Sequence, residues 1–226
     1  MKRYFLNKPI IKYSLLSVII VVTLGFSYYS HIITQEHLPV YNPADFNPQL
    51  VDKDMLEISE NHKVSDFELI NQNGITITQN DYNNKIYVTD FFFTRCKGIC
   101  PIMTNNMQTI QEAFIDDNTI KLLSISVTPV EDSISVLREY ADLKGAIDTK
   151  WNIATGDKKH IYNLARKSYF AAVDRGDGGL QDFIHTRNFV LVDKDKQIRG
   201  IYDGTKEDEI QKLIKDIKIL KNEYFF

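Results

Sequence analysis

The sequence predicts an α/β domain carried behind a single apolar helix, and three observations carry that reading. Residues 13–35 contain no Asp, Glu, Lys or Arg. From His62 onward, short apolar runs of strand length alternate with stretches whose apolar residues recur at helical spacing. The chain has 226 residues, a formal charge of −3 and 43% apolar residues, which suits roughly one domain with a core of its own. There is no basic patch or Lys/Arg-rich stripe of the kind phosphate neutralisation requires, so nucleic acid is not an expected partner.

The charge-free run, "YSLLSVIIVVTLGFSYYSHIITQ", is long enough to span a ~30 Å hydrocarbon layer as a helix rising ~1.5 Å per residue. Lys2, Arg3, Lys8 and Lys12 precede it, and the first charge after it is Glu36. The positive-inside rule then makes residues 1–12 a cytoplasmic tail and 13–35 a transmembrane anchor, with everything after it outside. A cleaved signal peptide competes with this, but the run exceeds the ~7–15 residues of a signal core and no small-residue cleavage site follows it. No cysteine near its end offers a lipid attachment point. Residues 36–61 contain Pro39, Pro43 and Pro48 and read as an extended linker rather than a core element, since proline fixes φ and removes a donor.

The globular part is expected over 62–226. "VSDFELINQNGITI" reads as a hairpin with Asn73-Gly74 at its turn. "KIYVTDFFF" is a nearly continuous apolar run, as a strand buried on both faces requires. Met103, Met107, Ile110 and Phe114 then mark one face of a helix. "TIKLLSISV" is a second buried strand. Thr128, Pro129 and Glu131 resemble an N-cap, a first-turn proline and a capping-box acid, which predicts a helix over "TPVEDSISVLREYADL". "DKKHIYNLARKSY" predicts another helix and "NFVLVDKDKQIRGIYDG" a strand–turn–strand unit. A last helix from Thr205 would bury Ile210, Leu213, Ile214, Ile217 and Leu220. This order is that of a thioredoxin-like α/β domain with an N-terminal hairpin. Its first crossover is expected to be parallel and right-handed, and its site to lie where strand ends meet helix N-termini.

The two cysteines, Cys96 and Cys100, fall at such a junction in "DFFFTRCKGICP". Pro101 suits the first turn of a helix, which puts Cys100 at its cap and Cys96 in the preceding loop. The positive helix end, Arg95 and Lys97 all favour thiolate. Two cysteines are too few for a disulfide scaffold, and a pair this close would close a tiny loop of little stabilising value. Redox chemistry and metal binding both use thiolates, so both remain open. Cys-x-x-x-Cys is looser than the usual Cys-x-x-Cys of disulfide exchangers, and two thiolates suit a soft ion such as Cu(I) or Zn(II), given a third ligand.

Of the five histidines, His31 and His37 lie in or beside the apolar run, and His62 and His160 read as solvated surface. His185 follows a stretch holding Gly176, Gly178 and Gly179 and directly precedes a strand, so it is either a surface histidine or one that swings over the cysteines. Met103 and Met107 have the spacing of core rather than of metal ligands. "DKDKQ" lacks the glycine and glutamate of a calcium loop and reads as a turn. Asp90, mid-strand and six positions before Cys96, is a candidate proton-relay acid and favours redox work. Against a general disulfide exchanger stands the absence of any proline after Pro129 to form the platform such enzymes present opposite their cysteines. A peroxidase is disfavoured because Thr94 stands two, not three, residues before Cys96, and a binding module with an inert cysteine pair is the remaining alternative.

In combination, "FFFTRCKGICPIM", "SISVTPVEDSISVLREYA", "WNIATGD" and "HTRNFVLVDKDKQIRGIY" resemble the Sco/SenC family of membrane-anchored copper chaperones for cytochrome c oxidase, over roughly residues 64–219. The resemblance implies Cys96, Cys100 and His185 as ligands of one copper ion, Cu(I) or Cu(II), with Cys96 and Cys100 forming a redox-active disulfide when oxidised. It implies delivery to the copper-bearing subunit of the oxidase, from a donor the sequence does not name. It also implies a bacterial inner-membrane protein whose domain faces the periplasm, a metallochaperone rather than an enzyme. The alternative is a thiol–disulfide oxidoreductase that keeps the oxidase cysteines reduced. The chain departs from the family pattern at Lys97, where proline is common, and at Thr128-Pro129, where Asp-Pro is usual.

Overall fold

The computed structural model describes residues 8–33, 36–46, 51, 60–172, 179 and 183–225. Two compact units divide the chain, residues 1–37 and 38–226. The first contains helix α1 (Lys8–Ile33). Among its described side chains, Leu16, Val18, Ile19, Leu24 and Phe26 are exposed. Among the described residues no helix is long and apolar enough to cross a membrane, so the structure does not show the anchor expected over 13–35.

The second unit is built on one seven-stranded sheet of order β2-β1-β5-β4-β3-β6-β7. The hairpin β1 (Glu68–Asn71) and β2 (Thr76–Thr78) forms as expected. Gly74 takes φ +73 at its turn, while the Asn71 side chain accepts the backbone N–H groups of Asn73 and Ile75 at 3.0 and 3.1 Å. Strand β3 (Ile86–Phe92) is buried at every position, parallel to β4 (Ile120–Ser126) on one side and antiparallel to β6 (Asn188–Val192) on the other. That central place explains its unbroken apolar run. Strand β7 (Ile198–Asp203) returns from β6 through a turn whose Lys196 has φ +68.

Alternate residues of β3 feed two cores. Ile86, Val88 and Phe92 pack with Met103, Met107 and Ile110 of α2 (Cys100–Ala113), Leu137 of α3 (Ile134–Leu143) and Ile210, Leu213, Ile217 and Leu220 of α5 (Glu207–Phe225). Tyr87 and Phe91 pack on the opposite face with Ile161 and Tyr162 of α4 (Lys158–Asn163). The helix after Asp157 widens into a π turn at Leu164–Ser168. Both methionines are fully buried, as core spacing requires.

The structure differs from the sequence reading in four places. Strand β5 (Trp151–Thr155), parallel to β4, was not expected, because five residues offer no period long enough to recognise. Helix α3 begins at Ile134, not at Thr128: Ser133 is its N-cap, and residues 128–132 form a turn that closes on Asp132. His62 is buried, its Nε2 at 2.8 Å from the Ser168 carbonyl and its ring 4.8 Å from Phe170; His160 is half-buried rather than solvated.

The last difference concerns the expected linker. Residues 38–46 lie on the domain. Tyr41 bridges to Ile198, and the buried Arg199 donates to the carbonyls of Pro39 and Leu38 at 3.1 and 2.7 Å. The same guanidinium pairs with Asp193 at 3.0 Å and Glu223 at 2.5 Å, so carbonyls freed by proline-rich sequence find their partner in a buried charge cluster.

Candidate functional site

The cysteines sit where β3 meets α2. Strand β3 ends at Phe92, and residues 93–99 form a tight loop before Cys100 starts the helix, with Pro101 in its first turn. Both thiols are free; Cys96 is half-buried and Cys100 buried. No side chain caps α2 through Ile99. The sulfur of Cys96 fills that place instead, accepting the Cys100 backbone N–H at 3.5 Å. Helix-end amides are the partners that stabilise a thiolate.

The two sulfurs are unlike. Partial burial pushes Cys96 up, but hydrogen bonds from the Cys100 thiol and from the backbone amides of Cys100, Gly98 and Ile99 outweigh it, so its thiol lies below the ordinary range. Burial pushes Cys100 up to about 12, helped by the neighbouring Cys96 and only partly opposed by the Phe93 backbone. Cys96 is therefore the more accessible member, with its thiol lowered, and Cys100 the buried one. Behind them, Tyr140 and Thr104 link their hydroxyls at 2.6 Å, and Thr104 donates to the Cys100 carbonyl at 2.8 Å, fixing the first turn of α2.

Asp90 lies on β3, buried to 1% exposure. Ser124 of β4 donates to it at 2.5 Å, and the Trp151 indole donates to Ser124 at 2.9 Å. Burial pushes its carboxyl up to about 7, against the lowering effect of the Ser124 hydrogen bond. It is thus a buried acid able to hold a proton near neutral pH.

His185 is exposed on the segment 183–187 that leads into β6. The fold gathers no three His, Cys, Asp or Glu side chains as a metal site among the described residues. It does bring the segment to the loop: Phe183 meets Phe93 edge-on, with ring centroids 5.2 Å apart. A groove beside the loop is lined by Phe93, Arg95, Thr128, Glu131, Tyr162 and Phe183. Gly176 and Gly178 lie outside the described residues.

Sequence reading missed Asp132, which is fully buried. The signal lies in the cluster of hydroxyl residues around "SVTPVED", whose Thr128 and Ser126 donate to Asp132 rather than starting a helix with Glu131. Glu131 instead lies exposed, 3.8 Å from Arg95. The Thr128 hydroxyl donates to Asp132 at 3.0 Å, a service an aspartate at 128 could not give.

The SCO1 protein homolog of Bacillus subtilis is 30% identical over 160 residues, covering 70% of this chain and 82% of that one. The structure of BsSco, described as having a disulfide switch and as a member of the Sco family of cytochrome c oxidase assembly proteins, is 29% identical, covers 72% of this chain and 95% of its own, and superposes with a TM-score of 0.62. Yeast Sco1 solved with copper bound shares the fold at 22% identity and a TM-score of 0.53, covering 70% of this chain and 90% of its own. The SCO1/SenC family model matches residues 56–222, and the chain belongs to that family.

Proposed function

We propose that this protein is a copper metallochaperone for cytochrome c oxidase. Cys96 and Cys100 would take one copper ion as cargo, with His185 as third ligand, and pass it by ligand exchange to the binuclear copper site of the oxidase subunit. The observation that carries the reading is the thiol pair itself. One sulfur is held by helix-end amides and the other lies within hydrogen-bond reach of it, which suits a soft ion accepted as thiolates. The contact of Phe183 with Phe93 supports His185 as the third donor, since a shift of the 183–187 segment would carry the imidazole along the loop. Residues 13–35 would tether the domain to the bacterial inner membrane, with 1–12 in the cytoplasm and the domain in the periplasm.

A second reading, a thiol–disulfide oxidoreductase serving the oxidase cysteines, is favoured by the unlike thiols and the buried Asp90. Anaerobic Cu(I) titration of residues 38–226, beside a disulfide-reduction assay, separates the two. Stoichiometric metal uptake with negligible reductase activity supports the chaperone, and the reverse supports the enzyme. His185→Ala is expected to weaken copper binding with the fold intact; unchanged binding would remove His185 from the site.

A further inference from the structure

We infer that Asp132 is a positioning residue for the Cys96–Cys100 loop, an inference that rests on the thiol pair being the working site. Its carboxylate accepts four hydrogen bonds: from the Thr94 hydroxyl at 2.6 Å, the Thr94 backbone N–H at 3.2 Å, the Ser126 hydroxyl at 2.5 Å and the Thr128 hydroxyl at 3.0 Å. One buried carboxylate thereby joins the loop after β3 to the end of β4 and the turn before α3. Buried charge-assisted hydrogen bonds are short and strong, and removing one partner leaves the others unsatisfied.

The route from Asp132 to the sulfurs is short. Thr94 follows Phe93, and the Phe93 peptide units serve both cysteines. The Phe93 carbonyl accepts the Cys96 backbone N–H at 3.3 Å, and its backbone hydrogen-bonds the Cys100 sulfur. Beyond Thr94 the loop is solvated, with Arg95, Lys97 and Gly98 exposed. The clamp on Thr94 is thus the fixed end from which the loop is hung. Asp132 touches neither sulfur, and its effect on them passes through Thr94 and Phe93.

The test uses the full-length protein in detergent, metal-free, with the Cys96–Cys100 disulfide equilibrated against glutathione, which supplies the two electrons and two protons of reduction. Thermal unfolding is followed in parallel. Thr94→Val removes the hydroxyl at nearly constant shape and is expected to move the thiol–disulfide equilibrium constant about tenfold, while Thr94→Ser restores it to within about twofold of wild type. Ser126→Ala removes a hydrogen bond that reaches the same carboxylate from the end of β4 and leaves both Thr94 contacts in place. It is expected to lower the unfolding temperature and leave the thiol constant within about twofold. Asp132→Asn, where it folds, should match Thr94→Val. A Thr94→Val protein with the wild-type constant overturns the inference, as does a Ser126→Ala protein shifted as far as Thr94→Val. A Cu(I) competition run on the same samples keeps the two proposals apart. Wild type that takes up no copper refutes the chaperone reading, while the metal-free comparison still judges Asp132.

Discussion

Replacing Asp90 by asparagine should change how stability depends on pH, and the size of the change follows from the site. In the unfolded chain this carboxyl titrates near its ordinary value of 3.8, whereas burial raises it to about 7 in the fold. Between these values the folded state binds a proton that the unfolded state has released. Stability contributed by the group is therefore complete below the lower value and is lost as pH rises through the upper one. At 1.36 kcal/mol per unit, about 4 kcal/mol disappears across the whole interval, and about 3 kcal/mol of it between about pH 5 and about pH 8. With a urea m-value of ~2 kcal/mol/M, the wild-type unfolding midpoint should fall by about 1.5 M over that range. The amide introduced by Asp90→Asn keeps an oxygen for the Ser124 hydroxyl and cannot ionise. The variant should therefore lack this fall, and the difference between the two proteins isolates Asp90 from other titrating groups such as the buried His62. Parallel curves for wild type and Asp90→Asn would refute the reasoning, because they would mean that the buried carboxyl titrates alike in both states.

Three further outcomes are expected. Arg199→Ala strips Asp193, Glu223 and the Leu38 and Pro39 carbonyls of a shared partner, so urea unfolding should show a loss of about 3–5 kcal/mol, with earlier proteolysis in residues 38–46. Gly204→Ala would place a methyl group 2.7 Å from the Phe189 ring and 3.0 Å from the Arg187 carbonyl, which should cost about 1–3 kcal/mol in the same assay. With Cys96 lowered and Cys100 raised, brief iodoacetamide treatment near neutral pH should label Cys96 first; peptide mass analysis showing equal labelling would count against the asymmetry.

Helix and strand positions were legible wherever the apolar pattern was long. The burial of Met103, Met107 and Ile110, and of the apolar face of α5, follows directly from 3.6-residue spacing, and β3 declared its central place by having no polar side but for Thr89 and Asp90. The turn at Gly74 was legible because a hairpin there needs a positive φ. Local signals failed where competing local chemistry was equally good. Thr128, Pro129 and Glu131 have the spacing of a helix start, yet the buried Asp132 draws Thr128 into a turn and hands the cap to Ser133. The proline-rich stretch after the apolar run has the composition of a free linker, yet Arg199, some 160 residues away, receives its carbonyls.

By itself the sequence determined the α/β order of elements apart from β5, the burial of β3 on both faces, and the junction of strand and helix that carries Cys96 and Cys100. Periodicity and turn chemistry are properties of neighbouring residues, and neighbours suffice to read them. Only the tertiary structure decided that the sulfurs differ, that Asp90 retains a proton near neutrality, and that Asp132 ties Thr94 to the end of β4. Each of these depends on burial and on hydrogen bonds between residues distant in the chain, and desolvation has no counterpart in a linear string of amino acids.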